Sequence, residues 1–247
     1  MANDGNSIRP IRLEGAFEVV ADGSGVWVSR PGAVTKLLPD GSVGMTVAVP
    51  ALPGDMVVAG DSLWMTVPDA GLIAKVDRSD GTVDTYRLGG RPASIASAKG
   101  LIWVTDIESN RLFEVDASTA KIIREIETGS SPLGVYSDGD TIWVANSESN
   151  SVTAVDASGE GVRQFRVPAS PTDLAVHEGV LWVVSERGHT LSAIDVRTAE
   201  VKRTLDLGGG PLKLEIHPPY VVVTNPGLGL IQNVPLTQSS APPSTSP

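Results

Sequence analysis

Apolar and polar positions alternate along most of the chain. Arg111–Asp116 (RLFEVD) and Ser151–Asp156 (SVTAVD) are read as alternating stretches, with apolar residues two apart at Phe113 and Val115 and at Val152 and Ala154. That period lays one face of a β-strand on a core and turns the other outward. No stretch of ten or more residues keeps the 3.6-residue period of an amphipathic helix. The one helix-friendly segment, ASTAKIIREIE at Ala117–Glu127, falls where the parallel parts of the chain place a turn and a strand, and it is read as a strand.

The alternation is organised into repeats. All five tryptophans, Trp27, Trp64, Trp103, Trp143 and Trp182, sit in one phrase (GVWVSR, SLWMTV, LIWVTD, TIWVAN, VLWVVS). A sixth copy, YVVVTN, carries Val222 in the Trp slot. A constant interval of thirteen residues separates each Trp from an Asp: Asp40, Asp77, Asp116, Asp156 and Asp195, with Pro235 in the sixth copy. Gly/Pro-rich links (VPALP, GGRP, GSSP, PASP, GGGP) separate successive units, where the chain turns sharply and leaves a strand. Each unit of about 40 residues accommodates four short strands, the size of one propeller blade. A blade cannot cover its own apolar faces, so it stacks on the next. The Trp supplies one large apolar plate per blade for that contact.

The expectation is an all-β chain forming a six-bladed β-propeller of four-stranded antiparallel blades. It spans residues 7–238, with disordered segments at 1–6 and 239–247. The sixth copy has room for only three strands. Ile8–Leu13 (IRPIRL) resembles the fourth-strand segments DTYRLGG and KRTLDLGG, and is predicted to supply the missing strand and close the last edge. Removing the first dozen residues is then expected to be costly.

SPLGVYSDGDTIWVANSESNSVTAVDASGE, Ser131–Glu160, closely follows one blade of the YVTN and NHL-like repeats of bacterial propellers. The resemblance covers about Leu13 to Leu236. It implies a propeller used as a sensor or binding domain, as on exported proteins and bacterial receptor kinases, and hence an extracytoplasmic or cell-surface location; a cytoplasmic one is the alternative. Streptogramin lyases are related in fold. The chain lacks their Trp-Phe-Thr-Glu and Ile-Gly-Arg-Ile signatures, having WVTD and LFEVD instead, so no catalytic residue is carried over.

Composition narrows the chemistry. The formal net charge of −10 repels phosphate backbones, which need Lys and Arg to displace their counterions. Nucleic acid and anionic membrane surfaces are therefore not expected partners. The absence of cysteine excludes disulfides, thiolate nucleophiles and Cys-type zinc sites. No apolar run of about 18 residues is present to span a membrane. MANDGNSIRP has no apolar core of a signal peptide, and the Ser/Pro/Thr-rich end QSSAPPSTSP reads as a linker or disordered tail.

The Asp that closes each third strand stands at a hairpin turn, where a carboxylate accepts turn amides. It is read as a turn lock. Seven positions after Trp stand Gly71, Asn110, Asn150, His189 and, counted from Val222, Gly229. These residue types tolerate positive φ, so this position is expected to close a turn. His177 and His217 each lie five positions before the Trp slot, in the first-to-second-strand turn.

Five positions after Trp, the chain varies: Asp69, Glu108, Glu148 and Arg187, with Gly32 and Gly227 in the other two copies. Together with Arg30, Asp106, Asn146 and Asn225 three positions after Trp, and Arg91 in a link, these residues form the candidate ligand or partner face. Loops on rigid scaffolds carry function disproportionately. An acidic rim there suits a cationic ligand or a basic peptide. Segments such as DIES and DGD are too sparse for the six to eight oxygens that calcium takes, and neither a metal nor a cofactor is expected. The reading is a non-enzymatic, monomeric recognition domain for an unknown protein or small ligand. The alternatives are a lyase or hydrolase of the streptogramin-lyase type and a structural spacer.

Overall fold

The computed structural model describes residues 11–158 and 161–236. These form six antiparallel sheets in two compact units that divide between Pro92 and Ala93.

The first unit holds two sheets. One is β1 (Val19–Ala21), β2 (Val26–Arg30), β3 (Ala33–Leu37) and β4 (Val43–Ala48), paired in that order. The other is β5 (Met56–Ala59), β6 (Ser62–Val67), β7 (Leu72–Asp77) and β8 (Val83–Arg87), with a 3-10 turn at Pro68–Ala70. The second unit holds four. The third sheet is β9 (Pro92–Ala98), β10 (Leu101–Asp106), β11 (Arg111–Asp116) and β12 (Ile122–Glu127). The fourth is β13 (Pro132–Ser137), β14 (Thr141–Asn146), β15 (Ser151–Asp156) and β16 (Val162–Arg166). The fifth is β17 (Pro171–His177), β18 (Val180–Ser185), β19 (Thr190–Asp195) and β20 (Val201–Asp206). The sixth has three described strands, β21 (Lys213–His217), β22 (Tyr220–Asn225) and β23 (Leu230–Pro235).

One repeat makes one sheet, and the strand read through ASTAKIIREIE is present as β12. Of the segment predicted to complete the sixth sheet, residues 8–10 lie outside the described residues, and Ile11–Leu13 carry no strand. The termini expected to be disordered, 1–6 and 239–247, lie outside them as well.

Each Trp stands on the second strand of its sheet and is at most 4% exposed. Trp27 clusters with Val34 and Val47 of its own sheet and with Met56, Leu63 and Met65 of the next. Trp103 and Leu112 meet Ile142, Val144 and Val155. Trp143 meets Leu174, Leu181 and Val183, and Trp182 meets Leu214, Val221 and Val223. In each case the indole fills the space between neighbouring sheets, as expected of one aromatic plate per repeat. In three sheets a charged residue stands opposite the Trp on the neighbouring strand. Lys36 and Lys75 lie directly opposite Trp27 and Trp64, with their ammonium groups 5.6 and 5.3 Å from the ring centroids. Opposite Trp103 stands Glu114, which is buried and ion-paired with Arg124 on the neighbouring strand.

Inner strands of adjacent sheets are latched by side chains. Ser94 Oγ on β9 accepts the Val135 amide of β13 at 3.4 Å. Asp173 Oδ2 on β17 accepts the Leu214 amide of β21 at 3.0 Å.

Candidate functional site

The third-strand aspartates lock turns. Asp40 Oδ1 accepts the amide of Ser42 at 2.9 Å, and Asp77 Oδ1 that of Ser79 at 2.8 Å. Asp116 Oδ1 takes the amides of Ser118 and Thr119 at 2.9 and 2.8 Å. Asp156 accepts Ser158 at 2.7 Å, and Asp195 accepts Arg197 at 2.9 Å. The bonds favour the ionised form. Hydrogen bonds from the Ser118 hydroxyl and from the Thr119 and Ser118 amides bring the Asp116 carboxyl down to about 2. Lys202 and the turn amides hold Asp195 well below the ordinary carboxylate range.

The position seven after Trp adopts the left-handed conformation in all five copies that hold Gly, Asn or His there, with φ of 62° at Gly71, 56° at Asn110, 51° at Asn150, 54° at His189 and 65° at Gly229. In four of them the carbonyl then accepts an amide of the link that follows: Leu88 onto Gly71, Thr128 onto Asn110, Val167 onto Asn150 and Leu207 onto His189. Asparagine adds a second tie. Asn110 Oδ1 accepts the Ser131 amide and Asn150 Oδ1 the Ser170 amide, each at 2.8 Å. In the second unit the links also bond the next hairpin. Ser147 and Glu148 donate their amides to Ser131 and Ser130, and Glu186 donates to Ser170. The tips carrying Glu148 and Arg187 therefore stand on backbone fixed from both sides.

The nine candidate residues divide on this scaffold. Asp69, Glu108, Glu148, Arg187 and Arg91 are exposed, and among the described residues their side chains make no hydrogen bond or ion pair. Arg30 is half-buried, with its Nε enclosed and without a partner among the described residues. Asp106, Asn146 and Asn225 are buried at the ends of their strands. Asp106 Oδ1 accepts the Ser109 amide at 2.7 Å and its hydroxyl at 2.8 Å. Asn146 Nδ2 donates to Thr153 Oγ1 at 2.9 Å and Ser151 Oγ at 3.2 Å. Asn225 Oδ1 accepts the Gly210 amide, while its Nδ2 donates to Gly208 O and Gln232 Oε1. Asp106 Oδ2 and Asn146 Oδ1 are buried without a partner among the described residues.

Two carboxylates outside the candidate set each accept an indole N–H. Asp22 has a fully buried side chain. It accepts from Trp27 Nε1 at 3.0 Å, Lys36 Nζ at 2.8 Å, Arg78 Nη1 at 2.9 Å and the Ser24 amide at 2.9 Å. Asp138 accepts Trp143 Nε1 at 3.0 Å. The sequence signal was available: both stand five positions before Trp, the slot that holds His177 in the fifth copy. Among the described residues no group of three or more His, Asp or Glu side chains is arranged to hold a metal ion. No hydrogen bond joins His177, His189 or His217 to a carboxylate there.

The chain matches no protein-family model and no curated protein. Among solved structures it is similar to Kuenenia stuttgartiensis hydrazine synthase, with a TM-score of 0.80 at 19% identity over 98% of this chain and 84% of that one. It is also similar to the computationally designed Ika8 protein, with a TM-score of 0.65 at 12% identity over 88% of this chain and 82% of the other. These likenesses concern the fold, and with the six repeated antiparallel sheets they make it a six-bladed β-propeller.

Proposed function

We propose that the chain is a non-enzymatic recognition domain of the YVTN/NHL-like repeat type. Its second-to-third-strand hairpins contact a protein or small ligand with cationic groups. One observation carries this reading. The hairpin backbone is repeated and tied to the link that follows it, while the exposed side chain at its tip changes from Asp69 to Glu108, Glu148 and Arg187 and makes no hydrogen bond or ion pair among the described residues. A structural role would favour the same side chain in every copy, as it does for the turn-locking aspartates. Variation on a fixed scaffold suits recognition. Asp106, Asn146 and Asn225 hold these loops from beneath.

An oligolysine peptide serves as the probe, measured by calorimetry against the intact chain at several salt concentrations. The triple variant Asp69→Ser, Glu108→Ser, Glu148→Ser is expected to bind at least tenfold more weakly. A control triple, Asp84→Ser, Glu127→Ser, Glu200→Ser, removes the same charge at other exposed positions and is expected to bind nearly as the parent does. Equal losses in the two triples would reduce the attraction to net charge and overturn the assignment to the loops.

A further inference from the structure

We draw no further inference here: the strongest candidate, the face of the sixth sheet that carries Tyr220, Val222 and Ile231 and is exposed by 40% at Tyr220 and 71% at Ile231, carries nothing because nothing in the structure shows what covers it.

Discussion

Trp143 donates its indole N–H to Asp138 Oδ2 across 3.0 Å. The same bond joins Trp27 to Asp22. In the second and third repeats the slot five positions before Trp holds Ala59 and Ala98, and the buried Nε1 atoms of Trp64 and Trp103 have no partner among the described residues. The aspartate therefore does two things: it shapes the first-to-second-strand turn and satisfies the one polar atom of a buried aromatic plate. Hydrogen bonds to charged groups contribute about 1.5–3 kcal/mol. In a double-mutant cycle by denaturant unfolding, Asp138→Ala and Trp143→Phe are expected to couple by about 1 kcal/mol or more. Additive effects would show that the bond contributes nothing beyond the turn.

Asp22 is the more consequential of the pair, because it joins two sheets. Arg78, which follows β7 of the second sheet, reaches Asp22 in the first and also donates to Gly60 O at 2.7 Å. Lys36 adds a second cation. Burial pushes the carboxyl up, but hydrogen bonds from Lys36, Ser24 and Trp27 outweigh it and hold the group far below the usual range. Removing one partner of a buried ion pair costs about 3–5 kcal/mol, because the other charge is stranded. Asp22→Ala should therefore destabilise more than Asp138→Ala. Chemical denaturation of both variants tests the order; a reversed order would mean that Lys36 and Arg78 find water easily once Asp22 is gone.

The turn aspartates set an acid limit. The Asp116 pKa is depressed in the folded chain, so its contribution is complete above the unfolded value near 3.8 and is lost as pH falls toward about 2. Asp40, Asp77, Asp156 and Asp195 shift in the same direction. Melting temperature should be flat from pH 7 to about 5 and then fall steeply below about 4. Asp116→Asn keeps an acceptor at the turn and cannot titrate there, so its profile should fall less steeply between pH 4 and 2. Parallel profiles for parent and variant would show that other groups set the acid limit.

The repeat made the architecture legible. Spacing alone placed the tryptophans between sheets, the aspartates at turns and the left-handed residues in hairpins. It worked because each of those roles depends on one backbone position repeated in a fixed frame. The candidate site was less legible. Asp106, Asn146 and Glu108 look equally polar in a sequence, yet a two-residue difference along the hairpin separates a strand end tucked under the link from a tip in water. Burial there depends on how closely the preceding link passes, which is a property of packing. Asp22 was missed for a similar reason: a Trp read only as an apolar plate hides the demand of its N–H for an acceptor.

Gly129 shows how close that approach is. A Cβ there would lie closer than 3.0 Å to Ser149 Oγ, Gln164 Nε2 and Asn146 Cβ, so the link rests directly on the fourth sheet's hairpin. Overpacking typically costs about 1–3 kcal/mol. Gly129→Ala should lower the unfolding free energy by that measure, whereas Gly161→Ala, whose Cβ would meet only Asp156 Cβ at 3.9 Å among the described residues, should be nearly neutral. Equal effects would mean that the link simply lifts away.

Stability separates the two kinds of candidate residue without knowledge of any ligand. Asn146 is fully buried, and its amide donates to two hydroxyls. Asn146→Ala takes the donor from buried Thr153 Oγ1, while Ser151 keeps Gln164 and Ser149, and should cost about 1–3 kcal/mol. The side chains of Glu108 and Glu148 make no hydrogen bond or ion pair among the described residues, and replacing either with Ser should change stability by no more than about 0.5 kcal/mol. Thermal and denaturant unfolding of the three single variants decide the matter. Should Glu108→Ser or Glu148→Ser destabilise as much as Asn146→Ala, the hairpin tips are themselves part of the packing. Their side chains would then not be free to meet a partner, and the recognition reading would lose the observation on which it stands.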